Sequence, residues 1–186
     1  WAALPVVASG GYGEINPEAI LEAEPDVILC TYEADIVANI EDQLGMTVVA
    51  APPGTLFGED YELALRVFGE ACGVSERAEE VIAMIRRCLE DLDARTAGIP
   101  EEAKPLCLGA AATFRGGHGI SGVYSNNAIF TAIHARDAAA GLADGPKGLE
   151  VDKEQLLAWD PDLIILDAGN LELVNSDYGE DPAFFR

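Results

Sequence analysis

Between Phe114 and Asn127 the sequence FRGGHGISGVYSNN gathers residue types that hold a ligand without reacting with it. Arg115 can make a charge-assisted contact with a carboxylate or other anion, although acids of the protein's own surface compete for the same guanidinium. His118, set between Gly117 and Gly119, can ligate a chelated metal or hydrogen-bond a ligand. Phe114 and Tyr124 in this stretch, with Tyr32 and Phe57 earlier in the chain, offer flat faces for stacking, and each can equally be a packing aromatic. A bare zinc or manganese ion needs three or four converging His and carboxylate ligands. Two histidines 16 residues apart (134 − 118) do not supply them, and His134 is expected inside a helix in a structural role.

Gly117, Gly119 and Gly122 match G-x-G-x-x-G after an expected strand, a fingerprint that would make the chain a nicotinamide-dependent Rossmann-type oxidoreductase. Against it, Val123, Tyr124 and Ser125 stand between the third glycine and the next helix, and no acid ends a strand about 20 residues on. G-x-S-x-G, a P-loop and H-E-x-x-H are absent. No catalytic constellation is visible, so neither enzyme activity nor a cofactor is expected.

The elements that position these residues are announced by a repeat. Gly13 to Cys30 reads GEINPEAILEAEPDVILC and Leu149 to Leu166 reads LEVDKEQLLAWDPDLIIL, an ungapped offset of 136 (150 − 14). Each copy has a helix cap (Asn16, Asp152), a first-turn glutamate (Glu18, Glu154), an acid-Pro-Asp stop and an apolar strand. Duplication at that separation predicts two similar lobes. Between the copies, helices are expected over Ile36 to Leu44, Tyr61 to Cys72 and Ser75 to about Thr96, and strands over Thr47 to Ala51 and Pro105 to Ala112. The alternation argues for α/β lobes with parallel sheets. Asn126 or Asn127 is expected to cap a further helix through Arg136. Ligands of open parallel sheets sit beyond the carboxyl ends of the strands, which selects the loops Thr31 to Asp35, Pro53 to Phe57, Phe114 to Tyr124 and Asp167 to Asn170.

A net charge of −22 on 186 residues argues against a nucleic-acid partner, because phosphate binding depends on Lys and Arg. Five of the 11 basic residues, Arg66, Arg77, Arg86, Arg87 and Arg95, fall outside the candidate loops, where Arg115 is the single cation. No apolar run approaches the roughly 18 residues of a membrane span, and no signal peptide is visible. Cys30, Cys72, Cys88 and Cys107 lack a CxxC spacing and are expected as free, buried thiols.

The two helix-Pro-Asp-strand units, the segment LRVFGEACGVSERAEEVIAMI and the glycine-rich GGHGI together resemble the substrate-binding proteins of ABC importers for iron siderophores, haem and cobalamin, the class III or helical-backbone periplasmic binding proteins. The resemblance covers nearly the whole chain, and its most specific part is the pair of units. It implies two Rossmann-like lobes bridged by one long helix, Ser75 to Thr96, with lobes at 1–60 and 100–186 and a helical linker at 61–99. It implies a monomer, periplasmic or lipid-anchored outside the cytoplasm, that holds a metal chelate between its lobes and delivers it to a membrane permease. A glutamate on each lobe docks into arginine pockets of that permease, and these fall on Glu18 and Glu154. Each also simply complements its helix dipole, worth about 0.3–1 kcal/mol. Family members are longer at both ends, so the chain is expected to be a fragment with both lobes incomplete and no signal segment. Tyr32, Phe57, Phe114 and Tyr124 would stack on a porphyrin, corrin or catecholate, with Arg115 and His118 as polar anchors. The acidic field favours an uncharged or cationic chelate, whereas many relatives take anionic ones. A ligand-sensing module without transport, built on the same lobes, is the alternative.

Overall fold

The computed structural model describes residues 6–7, 15–31, 34–52 and 54–185. They form two compact units, 1–87 and 88–186, with the boundary inside a helix.

In unit 1, α1 (Pro17–Ala23) starts where the Asn16 side chain accepts the Ala19 N–H at 3.1 Å and a proline occupies the first turn. It ends at Glu24 in the left-handed conformation, φ 45°, and Pro25 cannot continue it. β1 (Ile28–Cys30) then pairs in parallel with β2 (Val48–Ala50) across α2 (Ala34–Leu44). Gly45 (φ 63°) closes α2 by donating to the Glu41 carbonyl at 2.8 Å. Ile20, Ile40 and Leu44 form the core under these helices. Two longer helices follow, α3 (Glu59–Ala71) and α4 (Ser75–Thr96). They approach closely where Gly69 faces Ala78, because a Cβ on Gly69 would lie 2.6 Å from that methyl. Glu62 of α3 ties them together by accepting from Arg86 Nε of α4 at 2.7 Å, and Arg66 of α3 by donating from Nε to Glu79 of α4 at 2.7 Å.

In unit 2, β3 (Leu106–Ala110) is the central strand of a five-stranded sheet. β4 (Gly122–Ser125), α5 (Ala128–Ala132), β5 (Arg136–Asp137), β6 (Lys147–Glu150), α6 (Lys153–Trp159), β7 (Leu163–Leu166) and α7 (Leu171–Glu180) follow. β3 is parallel to β7 and β5, antiparallel to β4, and β4 is antiparallel to β6. Leu108, Ala110, Ile120, Val123 and Leu156 form the core, with Phe184 and Phe185 packed against it. β1 and β7, the strands of the two repeats, lie in separate sheets, which is the two-lobed α/β architecture the repeat predicts.

Several expectations need correction. The sheet of unit 2 is mixed, not parallel, because no helix intervenes between β3 and β4 and the chain returns directly. β4 lies inside the stretch read as one long loop, its GVYS hidden among Gly, Ser and Asn. The helix expected to reach Arg136 stops at Ala132. His134 (φ 51°) terminates it, its N–H bonding the Thr131 carbonyl while Ala135 bonds Phe130, the paired closure of a Schellman motif. His134 therefore sits outside the helix, and its Nε2 meets Asp93 of α4 at 2.8 Å. Of the two candidate caps, Asn127 holds the Ile129 N–H at 2.9 Å. Asn126 instead fastens the turn at Gly141, Ala143 and Gly145. Only Cys107 is buried; Cys72 and Cys88 are exposed and Cys30 is half-buried, so the expectation of four buried thiols fails.

Candidate functional site

The carboxyl end of β3 leads through buried Ala111 and Ala112 into a tight hairpin in which Thr113 bridges Gly117. Arg115 (φ 49°) and Gly116 (φ 127°) make its tip, and the Phe114 N–H bonds the Gly116 carbonyl at 2.9 Å. Two successive positive φ values are tolerable because one residue is glycine. The Arg115 side chain is exposed, and among the described residues it has no hydrogen-bond or ion-pair partner. The surface salt bridge that competes with a ligand role for it is not made with any described residue.

Phe114 and His118 come together. Their rings stack at 3.8 Å between centroids and 8° between planes. The pair occupies a slot left by missing side chains: a Cβ on Gly122 of β4 would collide with His118, and one on Gly148 of β6 with the Phe114 ring. His118 Nε2 lies 2.9 Å from the Phe114 carbonyl and Nδ1 lies 3.2 Å from Glu150 Oε1. Both nitrogens are engaged, which leaves neither lone pair directed at a metal and fits a hydrogen-bonding role.

The Tyr124 hydroxyl is part of a polar network. It accepts the Thr113 N–H at 2.8 Å and faces Asp167 Oδ2 at 3.4 Å. Asp167 Oδ2 also accepts from Thr113 Oγ1 at 3.0 Å. Asn170, nearly buried, donates to the Ala111 carbonyl and to Thr113 Oγ1, both at 2.8 Å. The loops after β3 and β7, selected separately in the sequence, are thus joined by one polar network around Thr113. Thr113 and Glu150 were missed as participants, and nothing in their spacing distinguishes them from surface residues; Asn170 fell inside a selected loop without being singled out.

The glycine triplet has a packing role. Cβ atoms on Gly117 and Gly119 would collide with Asn170 and Asp177, and Asp177 Oδ2 accepts the Ile120 N–H at 2.7 Å. Gly122 opens strand β4 and not a helix, so the helix N-terminus on which a dinucleotide pyrophosphate rests is missing here. This corrects the nicotinamide alternative. Among the described residues no group of three His, Cys, Asp or Glu side chains could hold a metal ion.

In unit 1, Phe57 is half-buried in the turn before α3 and has φ 69°, unusual for an aromatic. Tyr32 lies outside the described residues. Thr31 borders an apolar groove of about 360 Å³ lined also by Ile20, Leu29, Cys30, Ile40 and Phe68. Glu18 and Glu154 occupy equivalent first-turn positions of α1 and α6, and both are exposed. No helix among the described residues is long and apolar enough to cross a membrane.

No curated protein sequence matches the chain. Solved structures do. A periplasmic solute-binding protein from Veillonella parvula is 26% identical with a TM-score of 0.62, over 83% of this chain and 45% of that one. A periplasmic haem-binding protein from Pseudomonas aeruginosa is 22% identical with a TM-score of 0.66, over 97% of this chain and 66% of that one. The molybdate periplasmic binding protein MolA of Haemophilus influenzae, solved with molybdate, is 17% identical with a TM-score of 0.65, over 86% and 52%. The chain thus spans about half to two thirds of the length of these structures. The profile of the family described as periplasmic binding protein matches residues 3–178. The chain belongs to the periplasmic binding protein family, in its class III form.

Proposed function

We propose that this chain serves, outside the cytoplasm, as the substrate-binding component of an ABC importer, capturing a metal chelate such as haem, a ferric siderophore or a cobalamin and delivering it to a permease. The family match over residues 3–178 carries this reading, and the haem-binding neighbours support the ligand class. In this reading Arg115 is the anchor for an anionic group of the ligand, since it is exposed and unpaired among the described residues at the carboxyl end of the central strand. Phe114 is the stacking aromatic of this reading, with Tyr32 and Phe57 as further aromatic candidates. His118 and Tyr124 act from behind, His118 by stacking on Phe114 and Tyr124 by holding the Thr113 backbone. Glu18 and Glu154, both exposed, meet the permease. The protein binds and releases without covalent chemistry and works as a monomer.

Native mass spectrometry of the full-length protein purified from its own host tests the reading. A retained chelate of porphyrin, corrin or siderophore mass is the expected result. A retained nicotinamide nucleotide would overturn it.

A further inference from the structure

His118 presents both ring nitrogens to acceptors. The Phe114 carbonyl oxygen and a Glu150 carboxylate oxygen have no proton to give, so both short contacts are hydrogen bonds only when the imidazole carries two protons. With one proton, one nitrogen lone pair faces an oxygen lone pair. The ring cannot turn away easily, because Phe114 covers one face and Gly122 leaves no room behind its Cβ. We propose that Glu150, His118 and Gly148 are positioning residues that form a proton-dependent latch on the 113–117 hairpin, closed when His118 is doubly protonated and loosened when it is singly protonated. This rests on the reading of Arg115 as the ligand anchor, because the latch matters for function by fixing the tip that carries it.

The other charged groups around the hairpin do not substitute for Glu150. Asp167 is committed to Thr113 and Tyr124 at the base, Asp177 of α7 to the Ile120 N–H, and Arg115 points from the tip with no partner among the described residues. The base of the hairpin is therefore held by the Thr113 network without His118, while its flank is held through His118. Gly148 matters by absence, since any side chain there would displace Phe114 and with it the stack. The hairpin is therefore expected to be ordered while both His118 ring nitrogens carry protons and more mobile when one proton is lost. Glu150 is two-thirds exposed, which screens its contribution.

The test is hydrogen exchange of the ligand-free protein, corrected for intrinsic rates, at pH 5 and pH 8. In the wild type, protection of the Phe114 and His118 amides is expected to fall about threefold to tenfold at the higher pH relative to core strand β3. Glu150→Gln should flatten this profile, since a Gln amide can donate to the neutral Nδ1 or accept from the protonated one. His118→Phe keeps the stack and should also be flat. A flat wild-type profile, or an unchanged one in Glu150→Gln, overturns the latch. The conservative Gln variant decides the matter if His118→Phe does not fold. No ligand is present, so the outcome is independent of the importer reading, which fails instead if Arg115→Ala leaves chelate binding intact.

Discussion

Glu24 and Asp160, 136 residues apart (160 − 24), adopt the same left-handed conformation, φ 45° and ψ 52° against φ 44° and ψ 59°, each directly before a proline. The correspondence runs through the whole repeat. Asn16 and Asp152 cap the helices, and Ile20 and Leu156 are the buried residue of each. An acid stands at both positions where glycine is the usual occupant, so the repeat encodes its helix stop by the following proline more than by the conformational freedom of the stop residue.

That arrangement gives an asymmetric response to substitution at Asp160. Asp160→Gly relieves the left-handed strain while loosening the unfolded chain, so stability should change by less than about 1 kcal/mol. Asp160→Val places a β-branched residue in the left-handed region and should cost about 1–2 kcal/mol. Urea denaturation of the two variants checks both, and equal losses would contradict the assignment.

The α3–α4 clasp predicts a specific acid sensitivity. The hydrogen bond from Arg86 is the largest influence on the Glu62 carboxyl and, with the charges of Arg86 and Arg66, holds it below its ordinary 4.5 in spite of desolvation, the second-largest effect, which pushes it up. A depressed folded-state value means that the contribution to stability is present above the unfolded value and is lost as pH falls through the folded one. The wild type should therefore lose more stability than Glu62→Gln between pH 5 and pH 3, measured as the difference in urea midpoints. Parallel pH profiles would show that the clasp contributes nothing.

Glu18 and Glu154 should separate delivery from capture. Replacing either with Ala or Arg in the full-length protein is expected to impair uptake by cells while leaving chelate affinity within about twofold, because both are exposed first-turn residues. Loss of affinity with unchanged uptake kinetics would assign them elsewhere.

The architecture was legible because it is repeated: caps, stop signals and apolar strands recur at one offset, and local rules suffice to place them. The long helix from Ser75 to Thr96 followed from its apolar stripe. The antiparallel strands β4 and β6 were not legible, since GVYS is only four residues long among Gly, Ser and Asn, KGLE carries little strand propensity, and both owe their state to pairing with each other and to the core under Val123. The same difference governs the site. Arg115 and His118 were conspicuous by residue type, whereas Thr113, Glu150 and Asn170 act through contacts with residues 32 to 59 positions away along the chain. The glycine triplet matched a phosphate-binding pattern for another reason, because close approach of Asn170, Asp177 and His118 demands glycine as strictly as a phosphate does.

Titration of the natural full-length protein with haem, cobalamin and a ferric siderophore, followed by fluorescence quenching or calorimetry in parallel with its Arg115→Ala variant, tests the central claim most directly. Saturable binding of one of these chelates, weakened about tenfold or more by loss of the guanidinium, is the predicted result. Tight binding of a bare divalent ion or of NADH with no chelate bound, or chelate binding indifferent to Arg115→Ala, would contradict it.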